Sequence, residues 1–236
     1  DYILNHIYTN YKTDKKIFVI KRGIDTDYFS VKNVSDAEEQ KLRNYLDVPH
    51  DKFWLLLPGR LTYWKGQKLF IEAINLLKSQ NKFNDCFALI VGSDQGRKKY
   101  KNELIDLVSK YNLNNFVKIA HSINKIPVAY SISNLVISSS IEPEAFGRVS
   151  VEAQSMENPI LASNIGGSTE TIIPEKTGWL FKSESPSELA NSIEMIKKMD
   201  KKILDSVGRQ GRKNVLDNYS KDTMCSKTLE IYESLV

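Results

Sequence analysis

The sequence predicts an α/β chain built on a doubly wound, parallel, six-stranded sheet, with extra helices at its C-terminal end. Three observations carry that prediction. Short, continuously apolar runs such as "FWLLLPG", "CFALIVG" and "NLVISSS" fit strands buried on both faces. Segments with helical spacing separate those runs, and strands alternating with helices indicate parallel pairing through right-handed crossovers. After the sixth strand the pattern becomes purely helical.

The elements follow in order. "DYILNHIYTNY" carries apolar or aromatic residues at 3, 4, 7, 8 and 11, a helical spacing, and "KIFVI" at 16–20 reads as a short strand. "RGIDTDYF" is a turn, and "SDAEEQKLRNYL" is a helix with Ser35 as N-cap and acidic residues in its first turn. Strand "FWLLLPG" leads to helix "KGQKLFIEAINLLKSQ", whose Leu69, Ala73, Leu76 and Leu77 form one stripe. Strand "CFALIVG" leads to helix "GRKKYKNELIDLVSKYN". Strand "FVKIA" leads to "KIPVAYSIS", a short helix interrupted near Pro127. Strand "NLVISSS" leads to helix "GRVSVEAQSME", strand "PILAS" to a helical turn in "GGSTETII", and "TGWLF" is the sixth strand. "SPSELANSIEMIKKM", "KKILDSVGRQGRKNVLDNYS" and "KDTMCSKTLEIYESLV" are three terminal helices.

The 236 residues suffice for one large domain with a sizeable core, and 41% hydrophobic with 26% charged residues is an ordinary globular balance. The net charge of +4 is a mild excess, not the clustered basic face of a nucleic-acid binder, and it leaves anionic ligands and weak attraction to an acidic membrane surface open. Cys86 and Cys225 make no disulfide framework, and Cys86 in "CFALIV" reads as a buried thiol. His6, His50 and His121 lack metal-ligand spacing. No apolar run approaches the ~20 residues that span a bilayer, and no signal peptide is visible. A cytoplasmic, reducing setting is expected. Asp1 in place of an initiating Met reads as the start of a segment cut from a longer protein.

In a doubly wound sheet, ligands bind outside the carboxyl ends of the strands. The turns "PGRLTYWKG", "VGSDQG", "AHSIN", "SSSIEPEAFG" and "SNIGGSTE" are therefore expected to share one edge. In the first, Gly59, Arg60, Lys65 and Gly66 set two cations beside a helix start, where unpaired N–H groups favour a phosphate or pyrophosphate; two solvated cations on a loop is the competing reading. In the fourth, Gly147 lets backbone approach a ligand, and the N–H groups of Gly147, Arg148 and Val149 again suit an anion. Glu144 and Glu152, eight positions apart, flank that helix start. A carboxylate accepts bonds from two neighbouring hydroxyls at once, so this layout suits a ligand with a diol at each end and phosphate between, such as a nucleotide sugar. The alternative is an exposed Glu144 and a Glu152 that only caps or pairs. Gly166 and Gly167 allow either close approach to a ligand or a tight turn, Glu170 either meets ligand or offsets a helix dipole, and Glu142 reads as a surface residue. The chain has no G-x-G-x-x-G after its first buried strand and no G-x-x-x-x-G-K-[ST], which counts against dinucleotide binding and P-loop hydrolysis.

"GRLTYWKG", "EAFGRVSVE" with its E-x7-E spacing, "NIGGSTETI" and "TGWLF", in this order, resemble the retaining glycosyltransferases of the GT-B fold, family GT4. "RGIDTDYF" resembles the turn that opens the family's second domain, with Arg22 where that turn carries Asn. The wording around "EPEAFGRVSVEAQSM" and "GSDQGRKKYKNEL" is most similar to bacterial lipopolysaccharide-type enzymes. The resemblance covers nearly the whole chain but only the C-terminal, Rossmann-like, donor-binding half of such an enzyme. It implies a division into residues 1–15 as a remnant of the N-terminal domain and linker, 16–219 as the nucleotide-sugar-binding domain, and 220–236 as the helix that crosses back. It implies that Arg60 and Lys65 bind the diphosphate, that Glu144 holds the donor sugar and Glu152 the ribose, and that backbone from Phe146 to Val149 meets sugar and phosphates. Arg60, Lys65 and Glu144 are then the catalytic set, Gly59 adds to the donor site, and no metal or other cofactor is expected.

The expected activity is transfer of a hexose from a UDP- or GDP-sugar to a glycan or lipid acceptor held by the missing N-terminal domain, in cell-envelope glycan synthesis. The full-length enzyme is expected at the inner face of the membrane, and the fragment alone is expected to be inactive. Competing readings are a nucleotide-sugar-binding module without transferase activity and a GT-B epimerase.

Overall fold

The computed structural model describes residues 2–11, 13, 15–47, 49 and 51–235. Asp1, Lys12 and Asp14, which belong to the predicted linker, and His50 lie outside the described residues. The first helix is α1 (Tyr2–Asn10), and α2 (Asp36–Leu46) follows the 25–28 turn. The alternating part then runs β1 (Phe53–Pro58), α3 (Gln67–Ser79), β2 (Cys86–Val91), α4 (Lys98–Lys110), β3 (Val117–Ala120), α5 (Ile126–Ser131), β4 (Leu135–Ser138), α6 (Arg148–Ser155), β5 (Ile160–Ser163), α7 (Ser168–Thr171) and β6 (Trp179–Phe181). Helices α8 (Pro186–Lys197), α9 (Lys201–Asn218) and α10 (Lys221–Glu233) close the chain.

The six strands form one parallel sheet in the order β3-β2-β1-β4-β5-β6. The order reverses between β1 and β4, so a crevice opens at their carboxyl ends. Side chains alternate across the sheet, as the period of two requires. Leu55 and Leu57 of β1 join one core cluster with Ile74, Leu104 and Ile193 from α3, α4 and α8. Trp54 and Leu56 join the other with Leu42, Tyr130, Val151 and Val215 from α2, α5, α6 and α9. Cys86 is buried in the first cluster, and burial pushes its thiol up to about 12, so it is an unreactive hydrophobe there.

Two expectations need correction. "KIFVI" is not a strand: residues 16–20 pair with no strand among the described residues, and Phe18 and Val19 are exposed. The run from Ile17 to Ile20 instead lines a hollow of about 270 Å³ with Ile3 and Ile7 of α1 and Tyr219. Pro127 does not interrupt a helix. It stands in the first turn of α5, where its missing N–H costs nothing.

Candidate functional site

The first edge turn is fixed from below before it presents anything. Gly66 takes φ +70°, and a Cβ there would stand 1.8 Å from the Ser139 carbonyl oxygen, so only glycine lets the first and fourth turns touch. Ser139 Oγ donates to the Gly66 carbonyl at 3.0 Å, and the buried Gln67 side chain donates to the Arg60 carbonyl at 2.8 Å. The fifth turn plays a supporting part: Gly167 N–H donates to the Glu144 carbonyl at 2.7 Å, and a Cβ on Gly166 or Gly167 would strike backbone of Glu144 or Phe146. The tight approach at those glycines is therefore to the fourth turn itself.

On this frame lies a cleft of about 480 Å³, lined by Gly59, Arg60 and Lys65 from the first turn, Gly92 from the second, Ser122 and Ile123 from the third, and Glu144, Arg148, Val149 and Glu152 from the fourth turn and α6. Seven of the nine sequence-predicted site residues meet in it. Gly147 is buried just behind, with φ +74°, and starts α6 without a side-chain cap. Phe146 does not line the cleft: its ring packs 5.9 Å from Tyr219, and the residue lines the 270 Å³ hollow instead.

Three cations face two carboxylates in the cleft. Lys65 Nζ is 2.8 Å from Glu144 Oε2, and Ser140 Oγ donates to Glu144 Oε1. Arg148 Nε is 2.6 Å from Glu152 Oε1. Arg60 is exposed, makes no ion pair among the described residues, and stands over the Trp64 ring at 5.8 Å, with Lys65 Nζ over the same ring at 4.5 Å. Glu152 is buried, which raises its pKa above the ordinary glutamate value; the Tyr130 hydroxyl, donating to Oε2 at 2.9 Å, and Arg148 oppose that rise. Glu152 thus pairs with Arg148, and as a buried carboxylate with a raised pKa in a cationic cleft it is also a candidate functional group. Glu142 is exposed, as expected. Glu170 accepts from the Tyr2 N–H, so it ties α1 to α7.

Sequence reasoning missed Tyr130, Ser140 and Trp64. Trp64 and Ser140 stood inside the quoted turns, but nothing in their spacing set them apart from packing residues. Tyr130 lies in a short apolar helix, where a tyrosine reads as core. A larger hollow of about 550 Å³ lies beside the amino ends of β1 and β5, but its Lys197 and Lys201 are already matched by Asp85 at 2.6 Å and Asp205 at 2.8 Å. The carboxyl-edge cleft is the better candidate, because a doubly wound sheet directs helix starts and loop backbones there.

The family model of glycosyl transferases group 1 matches residues 38–214. The chain belongs to that family. A glycosyltransferase from Rickettsia africae superposes with TM-score 0.93 at 34% identity, over 99% of this chain and 61% of that one. The Anabaena protein HepE, solved in complex with UDP and glucose, superposes with TM-score 0.82 at 28% identity, over 92% of this chain and 57% of that one. Among curated relatives, a D-inositol 3-phosphate glycosyltransferase of Arthrobacter is 29% identical over 182 residues, 76% of this chain and 41% of the relative. The chain spans about half the length of the curated relatives it matches. The solved relatives share its α/β, Rossmann-like sheet. Among the described residues, no helix is long and apolar enough to cross a membrane.

Proposed function

We propose that this chain is the donor-binding half of a retaining GT-B glycosyltransferase of the GT4 type, which transfers a hexose from a nucleoside diphosphate sugar to a glycan or lipid acceptor in cell-envelope glycan synthesis. One observation carries the reading: Arg60, Lys65, Arg148, Glu144 and Glu152 converge on a single cleft at the switch point of the sheet. Cations beside the uncapped start of α6 suit a diphosphate, and the carboxylates at either side suit the hydroxyls of ribose and hexose. The complexes of HepE with UDP and UDP-glucose favour a UDP-sugar over a GDP-sugar.

In the proposed reaction the anomeric C–O bond breaks with its electron pair going to the diphosphate. The acceptor hydroxyl forms the new bond on the same face, and its proton passes to the departing phosphate. Arg60 and Lys65 stabilise charge as it develops on the leaving group, and Glu144 orients the sugar. These two cations occupy the role a divalent metal would fill, so UDP should bind as tightly in chelator as in magnesium. Residues 1–15 are proposed as the linker remnant, 16–219 as the donor domain and 220–236 as the helix returning to the acceptor domain, with the full-length enzyme on the inner membrane face. The chain alone should then bind donor and transfer none.

Thermal unfolding and titration calorimetry with UDP, GDP and their sugars test the reading. A ligand at a hundred times its dissociation constant adds about 2.7 kcal/mol of stability. No rise in melting temperature with any nucleoside diphosphate at millimolar concentration would sink it.

A further inference from the structure

The most deeply buried polar contact of the cleft is made by a residue outside the edge turns. Tyr130, in α5, has no exposed surface, and its ring meets Phe29 edge-on at 6.1 Å. Its hydroxyl donates to Glu152 Oε2, while Arg148 Nε holds Glu152 Oε1. The two partners are held very differently. The Arg148 side chain is 72% exposed at the cleft mouth, where an entering phosphate competes with Glu152 for the guanidinium. Tyr130 is fixed by close packing and has no other position to take. Burial drives its phenol well above the usual tyrosine range, so the proton stays on the hydroxyl at neutral pH and is there for the carboxylate. Each Glu152 oxygen keeps a further lone-pair direction for a ligand hydroxyl.

We infer that Tyr130 is a positioning residue: its hydroxyl holds the Glu152 carboxylate in the orientation that receives the two ribose hydroxyls of a nucleoside diphosphate, leaving Arg148 free to turn to phosphate. The inference rests on the donor-site reading above. It makes nucleoside recognition and phosphate recognition separable within one cleft, the first set through α5 and the second at the start of α6.

The test is calorimetry of the chain and of Tyr130→Phe with three probes: UDP, 2′,3′-dideoxy-UDP and inorganic pyrophosphate. The Phe variant should weaken UDP roughly ten- to a hundredfold, leave pyrophosphate unchanged, and lose the parent chain's preference for UDP over its dideoxy analogue. A purely structural role for Tyr130 would weaken all three probes together, and that result overturns the inference, as does unchanged UDP affinity. If the Phe variant does not fold, Phe29→Leu loosens the same ring while keeping the hydroxyl. It should show a smaller loss with the same pattern, and an equal loss for all probes overturns the inference there too. A parent chain that binds no UDP refutes the donor-site reading, and this inference with it. A parent chain that prefers UDP over dideoxy-UDP, with the preference intact in the variants, refutes Tyr130's role alone.

Discussion

Helices α2 and α6 each depend on a glutamate near their first turn, and they use it in opposite ways. At α2, Glu38 accepts from the Ser35 N–H at 3.0 Å, Ser35 Oγ accepts from the Glu38 N–H at 3.4 Å, and Lys125 Nζ lies 2.8 Å from Glu38. That capping box consumes the polar groups it contains, and its charge serves the fold. At α6, Gly147 offers no cap, and Glu152 is buried against its own tendency to ionise. Groups kept at a cost and left with spare bonding capacity are candidates for a site, while groups fully matched are accounted for by the scaffold.

The comparison breaks most severely at the glycines that start α3 and α6. Gly66→Ala should cost roughly 3–5 kcal/mol, because positive-φ strain adds to a clash with backbone that cannot yield. Gly147→Ala meets Ser168 N only at 3.2 Å, so the strain of φ +74° dominates and about 1–3 kcal/mol is expected. Urea unfolding of both variants checks the ranking. A Gly66 variant as stable as the parent would mean that the two turns do not seat on each other as described.

Next in size is the division of labour between the two cleft carboxylates. Glu152→Ala should weaken both UDP and UDP-sugar by roughly 1.5–3 kcal/mol, whereas Glu144→Ala should weaken only the sugar nucleotide. Equal losses for both ligands in both variants would end that assignment. Smaller again is Ser35→Ala. It should remove about 1 kcal/mol of stability and leave UDP affinity untouched, since the α2 cap serves only the scaffold.

Much of this was legible in the residues. Buried strands advertise themselves as apolar runs, and Ser35 with Glu38 spells a capping box, so the elements from β1 onward follow from local pattern. Strand order does not, because nothing local in "FWLLLPG" says that it lies between "CFALIVG" and "NLVISSS". "KIFVI" failed because an apolar run reports burial on one side, not the presence of a pairing partner. The turns announced Arg60, Lys65, Glu144 and Glu152 through spacing relative to strand ends. Tyr130 stayed hidden because its partner is 22 positions away, on another helix. The reason for Gly166 and Gly167, a neighbouring turn's backbone, is likewise a tertiary fact.

The smallest expected effect is also the one that separates the two glutamates by sign. The Lys125 ammonium, followed by the Ser35 N–H, holds Glu38 down at about 2, against an ordinary 4.5. A depressed carboxylate adds stability above 4.5 that disappears as pH falls toward 2. Glu38 lies at the surface with its side chain 39% exposed, so salt screens the effect. Glu152 runs the other way: burial raises its pKa, so the folded state binds the proton more tightly than the unfolded chain does, and its cost sets in as pH rises past 4.5. Glutamine mimics the protonated acid at each position. Glu38→Gln should therefore match the parent near pH 2 and fall progressively below it as pH rises through 4.5. Glu152→Gln should match the parent in acid and gain on it toward neutral pH, while losing affinity for UDP. Denaturant unfolding of the three proteins across this range reads both gaps directly. Gaps of the same sign would mean that Glu152 is a stabilising ion pair with Arg148, and that α6 is no less self-contained than α2.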